Sequence, residues 1–287
     1  MRSCVLACLT AALLVACGGK NGGGGGGGGD PDAGGGGGSG DPDAGGGGSM
    51  FDAPIFSGMC TPGGPQCSNC LDDDMDGKID GFDLECTGPA DNDEATFATG
   101  IPGDNKDRVD QDCFFDGDSG AGNDGCSIHV CCLLGITKQA DCPIGQSRFD
   151  PNECPPPIGM AQLSQKCIDT CGKGTPPGCD CFGCCTLCDA NGCLEVNINV
   201  AVSPDCTPDT LRDPMKCKQC TKNTECAGPV CNDPATCVLC PGEDPSQLPD
   251  SCRGMSACPT GQTACPTGNE CPTATYCSNG CCLGVIQ

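Results

Sequence analysis

Five carboxylates in one twelve-residue window have the spacing that wraps a chain around a cation. The window Asp72-Asp73-Asp74-Met75-Asp76-Gly77-Lys78-Ile79-Asp80-Gly81-Phe82-Asp83 reads D-x-D-x-D-G-x-I-D-x-x-D. A hard cation such as Ca²⁺ takes roughly six to eight oxygens at about 2.3–2.6 Å, and positions 1, 3 and 5 of a turning loop can present them. Asp72, Asp74 and Asp76 occupy those positions, and Gly77 at the sixth permits the sharp turn. The carbonyl of Lys78 is expected to supply a backbone oxygen, Asp80 a direct or water-mediated one, and Asp83 the closing carboxylate at position 12. Ile79 is expected to pack inward as the loop's apolar anchor. The alternative is a merely acidic, solvated loop; against it, the aspartates are spaced and interleaved with glycine rather than run together.

The window resembles the calcium loops of dockerins and thrombospondin type 3 repeats, which use aspartate where an EF-hand usually has glutamate. The likeness covers only these twelve residues. It implies a structural calcium ion, with the flanking Cys70 and Cys86 clamping the loop ends in place of the helices of an EF-hand. Around the loop, Leu71 to Asp124 carry 17 carboxylates against Lys78, Lys106 and Arg108. A second acidic window, Asp104 to Cys113, repeats a D-x-x-D rhythm but lacks the turn glycine. Asp107, Asp110 and Asp112 are candidates there for a second metal region, with Asp116 to Asp124 offering further oxygens, although the basic neighbours weaken the case. Outside the cell, even sites with dissociation constants of about 10⁻⁴ to 10⁻³ M are filled.

The elements that must position these groups are few. The 287 residues include 47 glycines, 25 prolines and 35 cysteines, but no tryptophan, one tyrosine and eight phenylalanines. Such a chain cannot bury a hydrophobic core in proportion to its length. Disulfides must substitute, each contributing typically about 2–4 kcal/mol, and that density belongs to an oxidising compartment. The Cys-x-x-Cys pairs Cys67/Cys70, Cys181/Cys184, Cys185/Cys188, Cys217/Cys220 and Cys237/Cys240 would suit tetrahedral zinc in a cytosolic protein. A thioredoxin-like redox site needs a βαβ context that this sequence lacks, and disulfide bonding is the favoured reading. The predicted fold class is small, disulfide-rich and loop-dominated with short β-strands. Leu194 to Val202 alternates apolar and polar residues and predicts a strand with one buried face. Met160 to Cys171, with Leu163, Cys167 and Cys171 at four-residue intervals, predicts a short helix tied down by its cysteines.

The N-terminal residues set the expected compartment. Arg2, the apolar stretch Val5 to Ala16 and the tetrapeptide Leu14-Val15-Ala16-Cys17 resemble the signal peptide and lipobox of a bacterial lipoprotein. The apolar stretch falls short of the roughly 20 residues that a transmembrane helix needs. The resemblance implies cleavage after Ala16 and acylation of Cys17. Gly18, in place of the aspartate that retains enteric lipoproteins at the inner membrane, implies the outer membrane. Cleavage would leave 32 cysteines beyond Cys17, an even number that allows sixteen disulfides. From Gly18 to Ser49 the chain is almost wholly glycine, broken by two Asp-Pro-Asp-Ala copies, and is expected to be a disordered tether of roughly 30 Å.

The expected order is therefore a signal peptide over 1–16, the lipidated Cys17 with its tether over 17–49, and an acidic calcium-loop module over 50–152. A cysteine-rich module containing the strand follows over 153–213, and a cysteine-repeat module over 214–287. The arrangement resembles the cysteine-rich, aspartate-loop lipoproteins of delta-proteobacteria of the myxobacterial type, a group that brings no activity to carry over.

For catalysis the inventory is poor. His129 is the only histidine, and neither Gly145-Gln146-Ser147 nor Gly254-Met255-Ser256 continues into a Gly-x-Ser-x-Gly elbow. A net charge of −24 repels the phosphates of nucleic acid. The expected function is that of a lipid-anchored, calcium-stabilised envelope protein with a binding, adhesion or structural role towards an extracellular protein or glycan, and no catalytic one. The alternatives are a calcium-sequestering protein and an inhibitor- or toxin-like module in Pro214 to Gln287.

Overall fold

The computed structural model describes residues 60–101, 109–116, 124–243, 248, 250–252 and 258–285. The chain divides into two units, Met1–Gly48 and Ser49–Gln287; Cys17 and the tether lie outside the described residues. In the second unit the elements are short. β1 (Asp110–Gln111) pairs antiparallel with β2 (Ile128–His129), which runs into α1 (Val130–Leu133). After α2 (Gln165–Cys171), the strands β3 (Cys184–Asp189), β4 (Gly192–Asn197) and β5 (Lys218–Gln219) form an antiparallel sheet in that order. A separate hairpin is made by β6 (Thr275–Ser278) and β7 (Cys281–Gly284). Among the described residues no helix is long and apolar enough to cross a membrane.

Local chemistry explains where the elements stop. Asn279 and Gly280 join β6 to β7 with φ of 47° and 81°, the left-handed pair that a two-residue Asn-Gly hairpin loop adopts. The predicted helix occupies only the second half of Met160 to Cys171. Leu163 is held by its N–H donating to Glu225 Oε2 at 2.9 Å, and Ser164 then caps the helix, its Oγ accepting from the N–H of Cys167 at 3.0 Å. The predicted strand over Leu194 to Val202 begins earlier, at Gly192, and ends at Asn197. Asn197 Oδ1 accepts from the N–H of Asn199, and Asn199 Oδ1 from that of Ala201, both at 2.9 Å. Side-chain oxygens thus take the donors that a longer ladder would use and turn the chain. Both asparagines are buried rather than solvent-facing.

All 32 cysteines from Cys60 onward are disulfide-bonded. No Cys-x-x-Cys pair closes on itself: Cys67 joins Cys86 while Cys70 joins Cys60, and Cys181 and Cys184 join Cys226 and Cys220. Those pairs therefore offer no thiolates to zinc or to a redox cycle. Six bridges cross the boundaries at 152/153 and 213/214: Cys113–Cys171, Cys126–Cys167, Cys132–Cys154, Cys181–Cys226, Cys184–Cys220 and Cys206–Cys217. The core consists of small clusters in which half-cystines surround a few large side chains. One centres on Phe149, Phe182 and Val130, another on Phe97, Phe114, Leu187 and Val196, and a third sets Phe82 against Cys265, Cys271, Cys277 and Cys282. The result is a disulfide-stabilised fold of extracellular type.

Bridges of different span should differ in worth. Cys113–Cys171 closes a separation of 58 residues, and Cys188–Cys193 one of 5 across the β3–β4 hairpin. In the chain-entropy account, replacing the first pair by serines should cost about 4 kcal/mol and the second about 2 kcal/mol. Denaturant unfolding of the two double variants measures this, and equal losses would contradict it.

Candidate metal centre

The Asp72–Asp83 loop curls through hydrogen bonds that its own aspartates accept. Asp72 Oδ2 accepts from the N–H of Gly77 at 3.0 Å, Asp74 Oδ1 from Asp76 at 3.0 Å, and Asp76 Oδ1 from Lys78 at 2.7 Å. Gly77 sits at φ 95°, which only glycine adopts without strain. Cys70, Met75 and Asp80 also have positive φ, at 71°, 67° and 50°. Non-glycine residues pay energetically for that conformation, so surrounding structure must hold it.

The restraint comes from Glu94, which is wholly buried. Its Oε2 accepts from the N–H of Asp73 at 2.6 Å and its Oε1 from that of Asp80 at 2.7 Å, tying the loop's second position to its ninth. Gln66 Oε1 accepts from the N–H of Glu94 at 3.0 Å. Nearby, Asp91 Oδ2 accepts from the N–H of Thr87 at 3.0 Å and from its hydroxyl at 2.9 Å. Neither Glu94 nor Asp91 stands in the twelve-residue pattern; the acidic run Asp91-Asn92-Asp93-Glu94 is the sequence signal for them.

Other expected members take different places. The Asp80 carboxylate faces the backbone, Oδ1 accepting from the N–H of Asn69 at 2.9 Å and Oδ2 from Cys70 at 3.1 Å, which leaves the water-mediated of its two expected roles. Ile79 is 44% exposed rather than packed inward; the apolar anchor is Phe82, set against the half-cystines of the β6–β7 region. Cys70 and Cys86 flank the loop as expected, but each is bonded to a residue N-terminal to the loop, Cys60 and Cys67. The β6–β7 hairpin reaches the loop closely. Asn279 donates its N–H to the carbonyl of Gly81 at 2.6 Å, Tyr276 donates its hydroxyl to the carbonyl of Cys67 at 3.0 Å, and a Cβ at Gly81 would collide with the carbonyl oxygen of Cys277.

Two oxygens of the loop, Asp72 Oδ1 and Asp83 Oδ2, are buried with no hydrogen-bond partner among the described residues. They belong to positions 1 and 12, where a calcium loop closes on its ion. A buried carboxylate oxygen without a donor is costly, and an all-oxygen set is the chemistry of a hard cation, so the residues fit calcium. Burial also governs their protonation. It pushes Glu85 up to about 9, with the adjoining Asp83 and then Asp76 adding to it. Asp83 is raised in the same way, by burial first and then by the charges of Asp76 and Asp74. Glu94 and Asp91 are each pushed up to about 7 by burial, against the N–H groups they accept from.

The second acidic window is placed differently. Asp107 lies outside the described residues. Asp110 forms an ion pair with Arg148, and Asp112 is buried. Asp124, also buried, accepts from the N–H groups of Cys113 at 3.0 Å and Cys126 at 2.9 Å. His129 uses Nδ1 to accept from the N–H of Cys131 at 3.1 Å at the start of α1. Comparison with protein-family models, curated proteins and solved structures gave no match for this chain.

The buried carboxylates give the metal-free chain a definite pH response. Glu94 and Asp91 bind protons more tightly folded, at about 7, than at their ordinary values of 4.5 and 3.8. Their stabilising contribution is therefore complete below the ordinary values and lost as pH rises through about 7. In chelator, the melting temperature should fall between about pH 5 and about pH 8, and a rising profile would contradict this. Glu94→Gln sets an amide donor against a backbone N–H and should cost about 1–3 kcal/mol in denaturant unfolding, with a flatter pH profile.

Proposed function

We propose that this chain is a lipid-anchored, disulfide-rich protein of the cell envelope whose Asp72–Asp83 loop holds a structural calcium ion. Its role is binding, adhesion or attachment rather than catalysis. The observation that carries the calcium reading is the pair of buried oxygens at the two ends of the loop, Asp72 Oδ1 and Asp83 Oδ2, that have no hydrogen-bond donor among the described residues. The sixteen bridges favour an oxidising compartment, and the lipobox at Cys17 with its glycine tether favours display away from a membrane surface. A binding role follows from what the ion would order. Through Gly81, Phe82 and Tyr276, the loop is packed against the β6–β7 hairpin, so an ion there would set the shape of a surface built from both. The same packing, with the bridges from Cys217, Cys220 and Cys226 to earlier residues, favours this reading over an independent C-terminal module.

Calorimetric calcium titration of the oxidised full-length protein, beside Asp72→Ala and Asp76→Ala, tests it. Saturable binding with a dissociation constant no weaker than about 10⁻³ M is expected, lost in both variants. At calcium about 100-fold above that constant, stability should rise by about 2.7 kcal/mol. No heat and no stabilisation would overturn the calcium reading. For the anchor, Cys17→Ala should move the protein from the membrane fraction to the soluble one, and an unchanged distribution would overturn that part.

A further inference from the structure

A cleft of about 260 Å³ that contains no residue of the acidic loop draws its lining from two parts of the fold. The lining is apolar where it comes from the end of α1 and from the proline run, with Leu133, Leu134, Ile158 and Pro155–Pro157. It is polar where it comes from the sheet, with Asn197 at the end of β4, Gln219 at the end of β5, and Thr221 and Asn223 just beyond. Disulfides hold both parts in place. Cys132–Cys154 ties α1 to the residue before Pro155, and Cys184–Cys220 ties β3 to the residue after Gln219. Asp180 adds a third restraint: its Oδ2 accepts from the N–H of Asn223 at 2.7 Å and its Oδ1 from those of Phe182 at 3.0 Å and Cys184 at 2.9 Å. A cleft braced in this way loses little freedom when a ligand enters it.

The two asparagines carry free donors. Asn197 Oδ1 accepts from the N–H of Asn199 at 2.9 Å, and Asn223 Oδ1 from that of Glu225 at 2.8 Å. The oxygen end of each amide is thereby committed, and the NH₂ end is the one left over. Both residues are buried, at 1% and 5% exposure, and neither Nδ2 has a hydrogen-bond partner among the described residues. Buried donors without an acceptor are costly, so these two favour a ligand that brings oxygens. Among the described residues no basic side chain lines the cleft. The neighbouring Lys218 donates to the carbonyls of Pro214 and Met215, and Lys222 pairs with Glu195. An anionic ligand would therefore meet the buried Asp180 with no countercharge. A hydroxyl suits the buried part poorly, because its own proton needs an acceptor and the oxygens of Asn197, Asn223 and Asp180 already serve backbone N–H groups. A carbonyl oxygen brings lone pairs and no proton, and the apolar lining offers a seat for hydrocarbon beside it. We infer that this cleft binds a peptide segment bearing an apolar side chain. Its main-chain carbonyls accept from the NH₂ groups of Asn197 and Asn223, and its side chain lies against Leu133, Leu134 and Pro155–Pro157. The site is separate from the calcium loop and stands whether or not that loop holds an ion.

The side-chain NH₂ resonances of the two asparagines, followed by NMR in the ¹⁵N-labelled, oxidised full-length protein, report on this directly. N-acetyl-leucine methylamide is the peptide probe, N-acetyl-glycine methylamide the same backbone without the apolar side chain, and methyl glucoside the hydroxyl probe. The leucine probe should shift both NH₂ signals and saturate with a roughly millimolar dissociation constant. The glycine probe should bind about tenfold more weakly, and the glucoside should leave both signals in place. Two variants separate recognition from folding. Asn223→Asp keeps an oxygen for the Glu225 N–H but removes the donor, and should weaken the leucine probe by roughly tenfold. Leu134→Ala should weaken the leucine probe about threefold or more while leaving the glycine probe unchanged. Should Asn223→Asp fail to fold, the direct shifts and Leu134→Ala decide. Absence of a shift in both NH₂ signals with the leucine probe would overturn the site, as would unchanged affinity in a folded Asn223→Asp or in Leu134→Ala. Glucoside binding as tight as that of the leucine probe would overturn the peptide assignment.

Discussion

Backbone N–H groups that lie inside a folded chain must find acceptors, and in this molecule buried carboxylates supply many of them. Regular structure is too short to do so. Glu94 serves Asp73 and Asp80, Asp91 serves Thr87 and Asp93, and Asp124 serves Cys113 and Cys126; the half-buried Asp80 does the same for Asn69 and Cys70. Asp180 does the same for Phe182, Cys184 and Asn223. A carboxylate suits this task because it offers two oxygens to two separate segments. The consequence is negative charge in places that water does not reach. Where several such groups converge, as around the Asp72–Asp83 loop, the fold needs protons or a cation to tolerate them.

That requirement links the loop to the rest of the molecule. Glu94 fixes the loop from below, the bridges Cys60–Cys70 and Cys67–Cys86 restrict its flanks, and the β6–β7 hairpin lies across Gly81 so closely that no side chain fits there. Tyr276, on that hairpin, is half-buried, and its phenol is held well above its ordinary value, by loss of water around it first and then by Asp91, Asp80, Glu94 and Asp83. The hairpin therefore sits in the field of the same acids. A cation at the loop would relieve the repulsion among these acids, and the direct contact of Gly81 with the hairpin would carry that effect beyond the loop.

The sequence revealed these features unequally. The turn at Gly77, with φ of 95°, was legible because position-by-position spacing along one short segment determines it. An even number of cysteines beyond Cys17 announced complete pairing, and the poverty of aromatic residues announced a core made of half-cystines. Glu94 was not legible, since its part depends on a return of the chain from outside the window. Nor was the turning of Asp80 onto the backbone, because the same aspartate can serve an ion or an N–H and only the positions of Asn69 and Cys70 decide. The strand expected over Leu194 to Val202 stops at Asn197 for a related reason: Asn197 and Asn199 look like solvent-facing residues in an alternating pattern, yet they cap the chain internally. Disulfide connectivity is a property of spatial approach, so the six bridges that cross the expected module boundaries left no mark on cysteine spacing.

Tyr276 provides the most direct test of the central claim, that a cation is held among these acids beside the hairpin. It is the single tyrosine in a chain without tryptophan, so excitation near 280 nm feeds only a lanthanide bound close to it. Added Tb³⁺ should show tyrosine-sensitised emission that saturates, is displaced by calcium, and disappears in Tyr276→Phe even though that variant still binds calcium. Absence of sensitised emission from the oxidised protein, or emission that calcium leaves unchanged, would contradict the account.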